Sequence, residues 1–324
     1  MSITFIIPYY KLEKELLTRC IDSIIALDDY VDWEILVIDD GTPSTQAKDW
    51  TDAYNDKRIR YVLIEHAGLG GARNMGIDLA NKEYIQMVDS DDYLFLQHEI
   101  EVLKIVQDNT PDALIFNYEK VYSNQHEKPH TEGKVTYTGD AAEYMTSHDI
   151  PPSCCRYIIK RSAIGKLRFT PDILHEDEEF STLLLLNLTH IVVTTYTPYA
   201  YFQRGGSIIN SQDKANIDRR FSDLLGIIQR IQKVTHTLDT DDRRRKALIR
   251  KTHTLSMCFI IDLIRDAYDT KFISTELARL KDTGLYPLPH GKYGLRYQFI
   301  RLANCLPILV KTTHSLLLFK KHYN

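Results

Sequence analysis

YIQMVDSDDYLF (Tyr84–Phe95) is the stretch on which the fold turns. Tyr84 to Val88 is an apolar run of strand length. It stops at Asp89-Ser90-Asp91-Asp92, and an apolar, helix-like segment follows. A strand that is apolar along its whole length is buried on both faces, and a strand-then-helix order belongs to a parallel sheet covered by helices. Three carboxylates in four residues repel one another. Solvent, a helix N-terminus or a bound metal ion must offset them.

Outward from this unit the same alternation recurs. ITFIIP (Ile3–Pro8) is an apolar strand, and Leu12, Leu16, Leu17, Cys20, Ile21, Ile24 and Ile25 follow at helical spacing. EILVID (Glu34–Asp39) is a second strand, closed by a turn at Gly41-Thr42-Pro43. A polar helix is predicted from about Ser44 to Tyr54, a third strand at IRYVLI (Ile59–Ile64), and a glycine-rich turn entering a helix at GLGGARNMGIDLA (Gly68–Ala80). Beyond the fourth strand, a helix runs through Ile100, Leu103 and Ile105. Ligands of such sheets bind beyond the carboxyl ends of the strands. The polar residues there, Tyr9, Tyr10, Asp39, Asp40, Asp89, Asp91 and Asp92, are therefore gathered at one edge.

From Ala113 to about Arg204 the pattern is mixed. ALIFNYEKVY and KVTYT read as strands of an antiparallel excursion, HEDEEFSTLLLLNLTH (His175–His190) as an acidic turn and a helix, and IVVTT and YAYFQR as short strands. RGGS (Arg204–Ser207) is a flexible loop. Helices are predicted at about Asp213–Thr237, Asp241–Tyr268, Phe272–Leu280 and from Lys292 onward. The expected domains are an α/β domain over residues 1–210 and a helical one over 211–324, basic from about 283.

The 324 residues suffice for one large domain or two ordinary ones. A formal net charge of −4 exerts no global pull toward nucleic acid. Five cysteines without CxxC spacing argue against a disulfide framework or a cysteine-rich zinc site, and fit a reducing compartment. The first apolar run lacks the basic flank of a signal peptide, and no stretch reaches the ~18–20 apolar residues of a bilayer span. A cytoplasmic protein is expected. After Asp282 no acidic residue occurs, while Lys292, Arg296, Arg301, Lys311, Lys320 and Lys321 stand among many apolar side chains, and Arg243–Lys246 form a second basic cluster. Such a tail suits peripheral contact with an anionic membrane face; dimer contacts in a homo-oligomer, or simple core, are its rival uses.

Several clusters carry chemistry. In Asp89-Ser90-Asp91, one carboxylate can reach a ribose hydroxyl while the other ligates Mn²⁺ or Mg²⁺, hard cations that share oxygen ligands with phosphates. A helix cap accounts for one acid of the three, Asp92. Asp39-Asp40-Gly41 is either an Asp-Gly turn or a carboxylate that accepts a hydrogen bond from a base or ribose. The glycines from Gly68 to Gly71 match neither GxGxxG nor GxxxxGKS/T. Arg73 beside them suits a base, a phosphate or a neighbouring Asp, or else a surface bridge to Asp40 or Asp78. In His175-Glu176-Asp177-Glu178-Glu179, acids of a first helical turn favour the helix dipole, while Asp177 or Glu176 is a candidate general base for an acceptor hydroxyl. Arg204 is either a lid residue over a diphosphate or part of a linker.

Taken in order, ITFIIPYY, EILVIDDGT, GLGGARNMGI, YIQMVDSDD, HEDEEF and YFQRGGSI resemble the motifs of the family 2 glycosyltransferases, inverting enzymes of the GT-A fold, over roughly residues 1–210. Lys11 departs from the Asn often found there, and His175 stands where a small residue usually precedes Glu-Asp. The resemblance implies a mostly parallel sheet with helices on both faces. It also implies a divalent cation, a nucleoside-diphosphate-sugar donor (UDP-linked), and a saccharide or lipid-linked saccharide acceptor in surface polysaccharide synthesis. It implies that Pro8, Tyr10, Asp40 and Arg73 surround the nucleotide base, that Asp89 contacts ribose and Asp91 the metal, and that Asp177 is the catalytic base. Arg204 and Ser207 would lie over the pyrophosphate. A sugar-phosphate nucleotidyltransferase needs a long glycine-rich loop with a basic residue after the first strand, and IPYYKLEKE offers none. A non-catalytic sugar-nucleotide binding module would keep Asp40 and Asp91 but has no use for an acid at Asp177.

Overall fold

The computed structural model describes residues 1–44, 46–122, 132–203, 213–291 and 293–303. Arg204, Ser207 and the basic tail beyond residue 303 lie outside the described residues. The chain divides into two compact units, Met1–Ala141 with Pro151–Gly205, and Ala142–Ile150 with Gly206–Asn324.

The strands of the first unit are β1 (Ser2–Tyr9), β2 (Asp32–Asp39), β3 (Ile59–Leu63), β4 (Tyr84–Met87), β5 (Tyr93–Leu94), β6 (Ala113–Ile115), β7 (Tyr118–Val121), β8 (Val135–Gly139), β9 (Tyr157–Lys160), β10 (Ile191–Thr194) and β11 (Tyr199–Phe202). The main sheet has the order β3-β2-β1-β4-β9-β6-β10-β8, and a smaller one the order β5-β11-β7. β3, β2, β1 and β4 are parallel, as are β6 and β10. β9 runs against both β4 and β6 and so joins the two parallel blocks. Every residue of β1 from Ile3 to Tyr9 is buried, so both faces of this strand are covered. That burial is what its uninterrupted apolar run requires. The polar Thr4 survives inside because its hydroxyl donates to Glu34 (2.6 Å), which also accepts from the Asn81 backbone N–H (2.9 Å).

The helices of this unit include α1 (Lys14–Ile25), α2 (Gln46–Asp52), α3 (Gly68–Leu79), α4 (Leu96–Asn109), α6 (Arg161–Ile164) and α7 (Glu176–Leu185); α5 (Ala141–Ser147) lies almost wholly in the second. α3 lies directly on β1: a Cβ added at Gly76 would sit 2.3 Å from Ile6 Cγ2. The glycines of α3 therefore serve packing. Gly76 meets β1, and Gly70 meets the backbone oxygen of Thr170, 3.1 Å from where its Cβ would be.

One expectation is corrected here. The acidic turn is followed by β5, not by a helix, and α4 starts only after its N-cap, Phe95. Asp92 therefore caps no helix. It is buried, its carboxylate accepting from the Tyr199 hydroxyl (2.6 Å) and from the Phe202 backbone N–H (2.8 Å), and it ties the acidic turn to β11.

The second unit contains α8 (Lys214–His236), α9 (Arg243–Asp266), α10 (Thr270–Asp282) and α11 (Leu295–Ala303). Asp213, Asp242 and Asp269 cap the first three, each carboxylate accepting a backbone N–H of the first turn at 2.7–3.2 Å. Phe221 packs edge-on against Phe259 and Phe272 at the centre of this unit. Arg250 of α9 holds Asp149 at 2.9 Å. Among the described residues, no helix is long and apolar enough to cross a membrane.

Candidate active site

The carboxyl ends of β1, β2 and β4 carry the predicted polar residues. After β1, the buried Pro8 gives way to Tyr10, which is 44% exposed. Its ring stacks on His66, centroids 5.1 Å apart, with Lys11 Nζ 4.6 Å from the Tyr10 centroid. Lys11 has φ +46°, a conformation that Asn adopts more readily than Lys. After β2, Asp39 is spent on the turn: its carboxylate accepts from the Thr42 backbone N–H (2.8 Å) and the Tyr61 hydroxyl (2.6 Å). Gly41 is required there, since φ is +79° and a Cβ would lie 3.0 Å from the His66 backbone nitrogen. Asp40 is buried and organises the segment before α3, accepting from the Ala67 N–H (2.7 Å) and pairing with His66 Nδ1 (2.8 Å). The result is an exposed Tyr10–His66 aromatic platform on a buried carboxylate. Beside it a recess of about 270 Å³ is lined by Lys11, Leu12, Thr42, Pro43 and Trp50 among others.

After β4, the acidic turn divides its labour. Asp92 is buried. Burial, with Asp89 and Asp91 close by, pushes its carboxyl well above the usual carboxylate range. The Tyr199 hydroxyl that donates to Asp92 also accepts from the Asp89 backbone N–H (3.0 Å). Arg19 Nη2 donates to the Asp91 carbonyl (2.6 Å) while its guanidinium packs on Tyr93 and Phe202. With its backbone held from both sides, the turn leaves the side chains of Asp89 and Asp91 half-buried at its surface.

Arg73 joins this turn to the second acidic cluster. It is 3% exposed and donates from Nη2 to Asp89 (2.9 Å) and from Nη1 to Glu176 (2.6 Å). The surface bridge to Asp40 or Asp78 that the sequence allows does not form; Asp78 pairs with Arg168 instead (2.5 Å). The next residue, Asn74, clamps the loop that leads to Glu176. Its side chain donates to the Phe169 carbonyl (2.9 Å) and accepts from the Phe169 N–H (2.8 Å). α3 thus holds the carboxylates of the two acidic clusters in one frame. Half of the repulsion question is answered inside the protein: Arg73 offsets Asp89, and Asp92 favours its neutral form.

Asp177 follows Glu176 in the first turn of α7 and is half-buried. Burial, then the adjoining Glu176 charge, pushes its carboxyl up to about 8, against the pull of Arg73. A carboxyl so placed is, once deprotonated, a stronger base than an ordinary carboxylate. His175 before it has φ +64° and makes no side-chain cap. This left-handed backbone favours a small residue, and His is among the side chains that tolerate it.

Among the described residues, no group of three or more His, Cys, Asp or Glu is arranged to hold a metal. Asp89 and Asp91 are half-buried carboxylates, oxygen donors of the kind a hard cation takes together with a diphosphate. The structure brings Tyr10 and Asp40 together around His66, and Asp89 and Glu176 around Arg73, with Asp177 alongside. Sequence reasoning passed over His66, Asn74 and Tyr199. His66 follows β3 as Tyr10 follows β1, so the strand-end rule reaches it. Tyr199 answers Asp92 from 107 positions away, and no local pattern signals that.

Comparison with known proteins gives the family and the fold. The model of "Glycosyl transferase family 2" matches residues 4–167. Glycosyltransferase GlyA of Streptococcus pneumoniae serotype 4 is 27% identical over 222 residues, which are 64% of this chain and 31% of GlyA. The succinoglycan biosynthesis protein ExoW of Rhizobium meliloti is 36% identical over 95 residues, 28% of this chain and 30% of ExoW. The chain therefore spans about a third of the length of each of these two relatives. Among solved structures, S. aureus TarS 1–349 in complex with UDP-GlcNAc superposes with a TM-score of 0.68 at 16% identity, over 100% of this chain and 93% of that one. The mannosyltransferase PcManGT of Pyrobaculum calidifontis, with GDP-Man and Mn²⁺, superposes at 0.52 and 14% identity, over 98% and 87%. The fold is GT-A-like, a mixed and mostly parallel α/β sheet followed by helices. With half of its length matched by the family model and the acidic turn, the Arg73 frame and the α7 acids gathered by that fold, the chain belongs to glycosyl transferase family 2.

Proposed function

We propose that this chain is an inverting glycosyltransferase that moves a sugar from a UDP-linked donor to a hydroxyl of a growing surface polysaccharide carried on a lipid. The observation that carries this reading is the Arg73 bridge between Asp89 and Glu176, with Asp177 next in sequence and its carboxyl pushed up to about 8. The UDP-GlcNAc complex of TarS supports the donor class, and the relationship to ExoW supports the polysaccharide acceptor.

In this reading the Tyr10–His66 platform and the adjoining recess take the base, and Asp89 takes a ribose hydroxyl. Asp91, with Asp89 beside it, would hold Mn²⁺ or Mg²⁺, whose positive charge offsets that of the diphosphate when bound; PcManGT, solved with Mn²⁺, supports this. Asp177 removes the acceptor proton as the acceptor oxygen bonds to the anomeric carbon. The bond from that carbon to the diphosphate breaks on the opposite face, and UDP leaves with the electron pair. One displacement inverts the centre and needs no second nucleophilic carboxylate. Arg204 and Ser207 keep the pyrophosphate role implied by their motif. A panel of UDP-, GDP- and TDP-sugars with Mn²⁺ tests the donor assignment by thermal shift. A ligand that binds the native state raises the melting temperature. UDP-sugars are expected to do so. A shift only with GDP- or TDP-sugars would contradict the UDP assignment.

A further inference from the structure

We propose that the outer face of α11 docks on the surface of an anionic phospholipid bilayer; the proposal rests on the lipid-linked acceptor above only for its purpose. Leu295, Phe299 and Leu302 are 90%, 71% and 64% exposed. They are spaced four and three residues apart, so at about 100° per residue they form one stripe along the helix. Tyr297 points the other way. It is buried, its hydroxyl donating to the Pro289 carbonyl (2.8 Å) and its ring edge-on to Tyr293. Tyr293 in turn meets His253 (3.0 Å) and lies under the Arg250 guanidinium of α9. One face of α11 is thus fixed to its unit, while the other presents large apolar side chains outward. Scattered exposed apolar residues are ordinary, but three in register on one helix form a patch.

Charge selects the occupant. From Thr283 to Asn324 the chain has no acidic residue and six basic ones, and Arg296 is exposed at the flank of the stripe. A second copy docked through this face would set Arg296 near its own counterpart, which disfavours a symmetric dimer there. An anionic lipid surface attracts those charges and takes Leu and Phe side chains into its headgroup–acyl boundary. With no described helix able to cross the bilayer, α11 would lie on it.

Co-flotation of the full chain with phosphatidylglycerol-containing or pure phosphatidylcholine vesicles tests this. The unaltered chain should float with the first and weakly with the second, less so as salt rises. The triple variant Leu295→Ser/Phe299→Ser/Leu302→Ser should bind at least roughly tenfold more weakly, since each side chain buried in the interface contributes to binding. Its melting temperature should match the parent, because the three residues are exposed. Arg296→Glu is a second variant that spares the apolar stripe and should weaken only the anionic case. No flotation of the parent, or equal flotation of parent and triple variant, overturns the proposal. So does a dimer seen by light scattering that the triple variant breaks in the absence of lipid. UDP release from donor is followed on the same preparations. A chain that turns over yet does not float overturns the surface alone, whereas one that floats without turnover counts against the reaction and not the surface.

Discussion

Asp177 is set apart from the other acids of its helical turn by burial and by the adjoining Glu176 charge. With its carboxyl up at about 8, it holds a proton at pH 7, and a general base must shed it. The proposed role therefore makes kcat/KM rise with pH and level off above about 8 in a pH–rate profile. Glu176 is one cause of the raised value, so Glu176→Gln should move the break to lower pH. A break unmoved in that variant would contradict the electrostatic link. Stability carries the same signature with a definite sign. The unfolded chain releases the Asp177 proton near the ordinary value of about 3.9. The folded chain releases it near 8, so between these values the unfolded state binds fewer protons and stability falls as pH rises. Asp177→Asn removes that decline. It should melt higher than the parent at pH 8 and with little difference at pH 4, by calorimetry at the two pH values. The acidic turn divides in the same way. Asp91→Asn should weaken metal-dependent UDP binding and leave the fold intact. Asp92→Ala strands the Tyr199 hydroxyl and the Phe202 N–H, at about 1–3 kcal/mol each, and should show first in urea unfolding.

α3 is the element on which the site is built. Its start is held by Asp40, its middle presents Arg73 to Asp89 and Glu176 and Asn74 to Phe169, and Gly76 sets it against β1. Gly76→Ala forces Cβ onto Ile6 and should destabilise by about 1–3 kcal/mol. Adding Ile6→Ala should recover part of that loss in a double-mutant cycle. Simple additivity would show that the contact is not the cause. The sequence announced this helix through its glycines but not their purpose. Close backbone approach looks the same in sequence whether a ligand or a strand is approached, so the glycines alone do not separate the two. β9 escaped notice for a related reason. Tyr157–Lys160 is four residues bounded by Arg156 and Arg161, and only its place between β4 and β6 makes it a strand. β1, β2 and β4 were legible because burial on both faces demands long apolar runs.

At the scale of the molecule, the first unit holds the candidate site and the second presents the apolar stripe of α11. Strand-end logic was enough to gather Tyr10, Asp40, Asp89 and Asp91, because a parallel sheet brings the ends of distant strands to one edge. It could not show that Arg73 is committed to two carboxylates, one of them 103 positions away, because long-range ion pairs leave no local periodicity. That bridge unites the two acidic clusters, and the proposed function has them work as one site. The most direct measurement is UDP titration calorimetry with Mn²⁺, paired with UDP-release turnover, on the parent chain and Asp177→Asn. The account predicts unchanged UDP affinity and a loss of turnover of about 10²–10⁴-fold, the range for removing a general base. Undiminished turnover in the variant, or turnover absent from the parent across donors and acceptors while UDP still binds, would contradict it.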